Sequence, residues 1–277
     1  MVGSTSCGPM PLPGTYFLQN LVRSRSLLYQ LVRRDFEQRY VGSVIGWLWG
    51  VIHPLVLLAV YTFVFVYAFG MKLPQGEVTD SYPLFLFAGM LPWLLFSETL
   101  QRSASSLVDY SSLIKKTVFH AEIVPLSIFL STLISHLLAM GLLIAIVGIR
   151  DHHVSPALLL LPVYFLVVGL FSLGLAWIAA ALQVYLRDTA QVLTVILTAW
   201  FWLTPVFLFE GQFQGKLSII LKLNPLTYVV RAYRDCILGT HVPALTDFLA
   251  LTAFAVTAFF AGGLFFRHSK RGFADVL

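Results

Sequence analysis

Charge is what this sequence has least of. Asp, Glu, Lys and Arg make up 11% of its 277 residues, where a soluble domain usually carries about a quarter. With 58% hydrophobic residues and a mean hydropathy of +0.83, most of the chain has lipid for solvent. Cysteine is nearly absent: Cys7 and Cys236 lie at opposite ends, which excludes a disulfide framework and a thiolate metal set. The seven histidines show no H-E-x-x-H or related ligand spacing, so no metal site is expected. No cluster of carboxylates or histidines suggests an embedded enzyme. The net charge of +5 does not point to nucleic acid, because the basic residues sit at the ends of apolar runs rather than in one patch. Residues 211–218, GQFQGKLS, approach a phosphate loop, but three residues separate the glycines where four are needed. Leu217 also stands where a hydroxyl should hold magnesium. No ATP site is expected in this chain.

What is present is a series of long apolar runs. Val44–Phe69, Pro83–Leu100, Ile123–Ile149, Pro156–Leu182, Ala190–Phe209 and Phe248–Phe266 each approach or exceed the ~20 residues that cross a hydrocarbon layer. The fold expected is an all-α integral membrane protein with six transmembrane helices. Residues 1–15, without a basic n-region and apolar core, read as a mobile tail and not a cleavable signal peptide. Residues 16–43 read as an amphipathic interface helix, and 44–277 as the six-span domain. Six crossings put both termini on one side. Of the eighteen Lys and Arg residues, only Lys72, Arg150, Lys216, Lys222, Arg231 and Arg234 fall on the other side. The positive-inside rule therefore makes the termini cytoplasmic, in the inner (cytoplasmic) membrane of the cell.

Three polar stretches interrupt the apolar pattern. Residues 101–125, QRSASSLVDYSSLIKKTVFHAEIVP, form a polar island between the second and third runs. Leu107, Tyr110, Ile114 and Val118 recur at helical spacing, with Asp109, Ser112 and Lys116 turned away. This fits an amphipathic surface helix facing a soluble partner, or a solvated connecting loop. The segment from Tyr16 to Tyr40 carries Arg23, Arg25, Arg33, Arg34 and Arg39 around a stripe of Leu28, Val32, Phe36 and Tyr40. Those arginines fit positive-inside anchoring, and equally the bidentate binding of a lipid phosphate. Residues 210–242 hold two short apolar stretches split by Asn224-Pro225. Too short to span, they suggest a re-entrant or interfacial helix pair at the outer face, containing Tyr228, Arg231 and Arg234. Glu98 is the one carboxylate near a membrane core, with Arg102 four residues on as a possible partner.

Aromatic residues are abundant, at 14%. Trp47 and Trp49 mark one end of the first span as an interfacial belt would. Tyr61, Phe65 and Phe69 lie four apart, and further rings include Phe85, Trp93, Trp200, Trp202 and Phe207. They can be packing or lipid-facing groups, or they can line a pathway and stack on the C–H faces of sugars.

The segments LVRRDFEQRYVGSVIGWLWGVIHPL, FSETLQRSASSLVDYSSLIKKTVFHAEIVPL, LRDTAQV and NPLTYVVRAYRDCIL resemble the permease of ABC exporters for cell-surface polysaccharides, of O-antigen, teichoic-acid or capsule type. The likeness runs from about Leu28 to the C-terminus. It departs at Phe119–Ile123, FHAEI, where the family usually reads F-P-R-E-I. The resemblance implies a permease that exports lipid-linked polysaccharide, with ATP and magnesium held by a partner subunit and no cofactor of its own. It implies two ATPase subunits, a second copy of this chain and no nucleic acid. ATPase coupling would fall to Asp109, Tyr110, Leu113, Ile114, Lys115 and Lys116, with Arg187 and Asp188 nearby. Arg33, Arg34 and Arg39 would stand where the lipid phosphate is admitted. Tyr61, Phe65, Phe85, Trp93, Trp200, Trp202 and Phe207 are the candidates to line the channel. Asn224, Pro225, Tyr228, Arg231 and Arg234 would close the exit. The alternatives are an ABC efflux permease for a small molecule or lipid, and a secondary transporter. The latter would usually show repeated halves and paired ionisable groups at mid-membrane.

Overall fold

The structure, a computed structural model, describes residues 25–40, 42–75, 77–112, 120–152, 155–207, 209, 211, 215, 218–239 and 242–276. Among them there is no strand. The tail expected at 1–15 lies outside this set. Five helical stretches are long and apolar enough to cross a bilayer: Gly46–Ala68, Tyr82–Asp109, Ile123–Asp151, Pro156–Tyr185 and Leu245–Gly272. The helices are α1 (Arg25–Tyr40), α2 (Trp49–Thr62), α3 (Tyr82–Asp109), α4 (Ile123–Asp151), α5 (Leu161–Tyr185), α6 (Thr189–Trp202), α7 (Ser218–Leu223), α8 (Pro225–Ile237), α9 (Leu245–Ser269) and α10 (Phe273–Val276).

The sixth expected span, Ala190–Phe209, is helical only over α6. Fourteen residues at 1.5 Å each give about 21 Å, short of a ~30 Å hydrocarbon layer. Pro205 explains the stop: it has no N–H to donate and disfavours helical geometry at Thr204. The chain turns there, with Thr204 N donating to Phe201 O and Val206 N to Thr204 O. In the first span the helix widens into a π-turn over Phe63–Ala68. The four-residue stripe is thereby broken: Phe65 is buried, whereas Phe69 is exposed.

Helix α3 is the hub. Within its most apolar window 83% of residues are buried, against 11% in the first span and 17% in the last. Most residues of α3 therefore face protein, whereas most of the first and last spans lie on the outside of the bundle. Helices α5 and α9 approach closely because a Cβ at Gly174 or Gly262 would run into the main chain of the other helix. Such contact through small residues is how helices associate where lipid gives no hydrophobic drive.

The boundary between span and island falls later than the sequence suggests. Helix α3 runs unbroken past Leu100 to Asp109, because Ser103, Ala104, Ser106 and Leu107 remain buried against neighbours. The first third of the island is thus the end of a core helix and not a surface helix. Leu107 joins Val124, Ile128, Trp177, Ala180 and Phe266 in a second apolar cluster under this end of the bundle. The turn into α4, where the sequence reads His120-Ala121-Glu122, is held from outside. Trp177 Nε1 donates to Glu122 O at 3.1 Å, and Lys270 Nζ lies 2.8 Å from Glu122 Oε1. At the opposite end Arg150 binds Asp80 directly and holds the Asp80 carboxyl below its usual range.

Candidate functional site: a buried ion cluster and an outer hairpin

Helix α1 packs on the bundle by an edge beside its apolar stripe. Its most buried residues are Leu31 and Asp35, one helical turn apart, whereas Leu28, Val32 and Phe36 are only half-buried. The polar edge turned inward by this rotation meets α3 and α4. Arg39 lies 2.8 Å from Glu98 Oε1 and donates to Thr132 Oγ1 at 2.6 Å and Ser135 Oγ at 3.3 Å. Arg102 donates to Asp35 Oδ1 at 2.5 Å and stands 3.9 Å from Glu98. Two arginines and two carboxylates balance in a setting where an unpaired charge would be costly. Burial pushes the Asp35 carboxyl up, with the charge of Arg39 opposing. Glu98 thus has Arg39 as its close partner, and Arg102 is the more distant one.

Two half-open cavities flank this cluster. One, of about 370 Å³, is bordered by Arg39, Trp49, His53, Glu98, Gln101 and Ser135. The other, of about 460 Å³, opens between α1 and the end of α3 and is bordered by Arg34, Asp35, Arg102, Asp109 and Tyr110. The three arginines singled out in the sequence are divided. Arg33 is exposed and paired with Glu37 at 2.7 Å. Arg34 lies over the Tyr110 ring, 5.6 Å from its centre. Only Arg39 turns into the bundle. Asp35, Thr132 and Ser135 escaped the sequence reading. Their available signal was two hydroxyls three residues apart in an apolar span, which can bond a group on another helix.

The aromatic candidates form two groups. Phe207 stacks on Phe65 with centroids 4.8 Å apart, and meets Tyr61 at 4.8 Å, Phe201 at 4.9 Å and Trp202 at 5.2 Å. Trp93 joins through Phe201 at 5.2 Å. Tyr61, Trp93, Phe201 and Trp202 border a cavity of about 290 Å³ between α2, α3 and α6. Phe85 and Trp200 belong elsewhere, to the packing of the α7–α8 hairpin.

That hairpin turns on Asn224. Its side chain accepts from Leu226 N at 3.1 Å, capping α8, and from Trp200 Nε1 at 2.9 Å. It also donates to Leu203 O at 3.2 Å and Thr204 Oγ1 at 3.0 Å. Pro225 follows at the first helical position, where its missing N–H costs nothing. Farther along α8, Tyr233 OH lies 3.0 Å from His136 Nε2. The buried Arg234 donates to Phe85 O at 3.2 Å and Val206 O at 2.9 Å, its guanidinium 3.4 Å over the Phe85 ring. Arg231 pairs with Asp247 at 2.9 Å, and Tyr228 OH donates to Lys222 O at 2.7 Å.

Of the coupling candidates, Asp109 and Tyr110 lie at the end of α3, and Arg187 and Asp188 in the turn between α5 and α6. Leu113, Ile114, Lys115 and Lys116 lie outside the described residues.

A helical bundle with an arginine-rich helix packed against it and a short hairpin cornered on Asn224 can be compared with known proteins. Residues 26–238 match the ABC-2 type transporter family. The chain belongs to that family. It is 30% identical over 260 residues to the O-antigen export system permease protein RfbA of Myxococcus xanthus, covering 93% of this chain and 98% of that protein. It is 27% identical over 253 residues to a Klebsiella pneumoniae protein of the same name, covering 91% of this chain and 95% of that one. With the polysialic acid transport protein KpsM of Escherichia coli it shares 22% identity over 238 residues, 86% of this chain and 91% of that protein. The ABC-2 match runs from α1 through α8, so the ion cluster, the aromatic groove and the hairpin all fall within it.

Proposed function

We propose that this chain is the permease subunit of an ATP-driven ABC exporter that carries lipid-linked polysaccharide, of O-antigen or related type, outward across the cytoplasmic membrane. The observation that carries this reading is the similarity to O-antigen export permeases over nearly their whole length. ATP and magnesium belong to a partner subunit, present in two copies beside two copies of this chain. The functional membrane segment count is six. Its support is that residues after α6 reach the far end of the bundle, where Tyr82 OH donates to Phe207 O at 3.0 Å.

In this reading the α1 end is cytoplasmic and holds both termini. Asp109, Tyr110, Arg187 and Asp188, with Leu113 to Lys116, receive the ATPase subunit. The second apolar cluster beneath them ties α3, α4, α5 and α9, so a push at this end reaches several spans together. Lipid phosphate is admitted beside α1, with Arg39 the inward-facing cation and Arg33 and Arg34 outside it. Sugars then pass rings of the Tyr61, Phe65, Trp93, Trp202 and Phe207 group, whose flat faces bind weakly and let go. The α7–α8 pair re-enters from the outer face. Non-helical backbone at membrane depth is tolerated only when protein satisfies it, and the four hydrogen bonds of the Asn224 side chain serve that need at the hairpin corner.

Deletion of the gene in its host tests the proposal. The expected result is loss of a surface polysaccharide with lipid-linked glycan accumulating inside, restored by the intact gene. Unchanged surface glycan would contradict it.

A further inference from the structure

Arg39 is an anion site that the protein fills with its own carboxylate. Thr132 and Ser135 fix the direction of the guanidinium through two hydroxyls. The remaining strong position is taken by Glu98. Asp35 does not compete for it: Asp35 Oδ2 and Arg39 Nε are buried 3.9 Å apart, and neither has a hydrogen-bond partner. Asp35 is committed to Arg102 instead. The two acids also differ in exposure. The Glu98 side chain is 40% exposed and Asp35 10%, while Arg39 is 13% exposed. Both line the 370 Å³ cavity, and Glu98 is the more exposed half of the pair.

A pair with its acid half facing a cavity and its base half held by hydroxyls can be opened by a stronger anion. A diphosphate offers more charge than a carboxylate and more acceptor oxygens, and guanidinium groups bind phosphate in bidentate fashion. Glu98 already has Arg102 at 3.9 Å, and His53 and Gln101 line the same cavity. Trp49 borders that cavity, and Ile45, Trp47 and Leu48, which precede it in the chain, are exposed apolar residues, the kind of belt that sits at a membrane interface. A ligand with an anionic head and a lipid tail matches both halves of this surface.

The geometry points to Glu98 as a built-in competitor that keeps the Arg39 site closed until the diphosphate head of a lipid displaces it. This rests on the proposed reading of Arg39 as the group that admits the lipid-linked substrate. The competitor also gives selectivity, which is a difference between affinities. Bulk anionic phospholipids bear one charge and are abundant; a resident carboxylate raises the threshold so that they do not occupy the site.

The test uses the full chain in phosphatidylcholine nanodiscs, titrated calorimetrically with farnesyl diphosphate, with and without phosphatidylglycerol in the disc, and separately with inorganic pyrophosphate. Glu98→Gln should bind farnesyl diphosphate about tenfold tighter, and phosphatidylglycerol should now compete. Arg39→Gln should bind it at least about tenfold more weakly. Melting of each variant in the same discs establishes that it is folded; should Glu98→Gln fail to accumulate, Glu98→Asp, with its shorter reach, is expected to shift binding in the same direction. Unchanged or weaker binding by the Glu98 variant, with Arg39→Gln impaired, overturns the competitor and leaves Arg39 as the admitting group. Unchanged binding by Arg39→Gln overturns both. Pyrophosphate binding as tight as farnesyl diphosphate overturns the lipid assignment.

Discussion

Arg234 and Arg39 are both turned into this bundle, and they are held differently. Arg234 gives its protons to the main-chain carbonyls of Phe85 and Val206 and lies on a ring. Arg39 gives its protons to side chains: two hydroxyls and the carboxylate of Glu98. A carbonyl in a packed helix or turn cannot leave without the backbone moving, whereas a carboxylate can rotate away. The first arrangement suits an anchor, the second a part that must exchange partners. The neighbours agree. Gly89 leaves room for the Arg234 guanidinium, and a Cβ there would meet Arg234 Nη2 at 2.7 Å. Arg39 borders an open cavity.

If that contrast is right, the two sites should fail in different ways. The largest loss of stability is expected for Arg234→Leu, about 3 kcal/mol, because the Phe85 and Val206 carbonyls lose a charged donor inside the bundle. Thermal melting in detergent would record it, and an unaltered melting point would remove the anchor role. Asn224→Ala should follow at about 2 kcal/mol, combining the lost α8 cap with buried hydrogen bonds. Its melting would fall on the same side of the comparison. Arg39→Gln should cost only about 1 kcal/mol, since Arg102 still serves Asp35 and Glu98 can turn to the cavity. Its deficit should instead appear in the concentration of lipid-linked glycan that half-stimulates ATP hydrolysis by the assembled transporter. A fall in stability as deep as that of Arg234→Leu would erase the distinction. The smallest effect belongs to the exposed Asp80–Arg150 pair. Arg150 lowers the Asp80 carboxyl from its ordinary 3.8, so the pair stabilises above that value and the contribution is lost as pH falls through the lowered one. Asp80→Asn should shift melting slightly at pH 7 and not at all once the carboxyl of the parent is protonated.

The contrast also separates what the sequence reveals from what it conceals. Five of the six apolar runs, the Asn224-Pro225 break and an arginine-rich helix ahead of the first span are local patterns that reappear as elements, whereas the run at 190–209 yields only a fourteen-residue helix. The partners of the arginines are not local. Arg39 meets Thr132 across 93 positions and Arg234 meets Phe85 across 149, and no periodicity within a helix encodes such pairs. Nor could composition place the end of α3. Residues 101–109 look polar, yet Ser103 and Ser106 are buried, with Ser106 Oγ donating to the carbonyl of Ser103. Small hydroxyl residues that bond their own helix remain compatible with a packed face. The π-turn at Phe63–Ala68 likewise leaves no sequence signal; across it Phe65 is buried and Phe69 exposed, with the two ring centroids 6.1 Å apart.

The central claim is that this chain is the membrane half of a polysaccharide exporter whose ATP hydrolysis is performed by another subunit. Gentle purification of the chain from native membranes, followed by an assay for ATP hydrolysis, tests it most directly. The expected result is a co-eluting ATPase subunit in equal amount, with hydrolysis stimulated by lipid-linked glycan. A chain that elutes alone and without hydrolysis would contradict it.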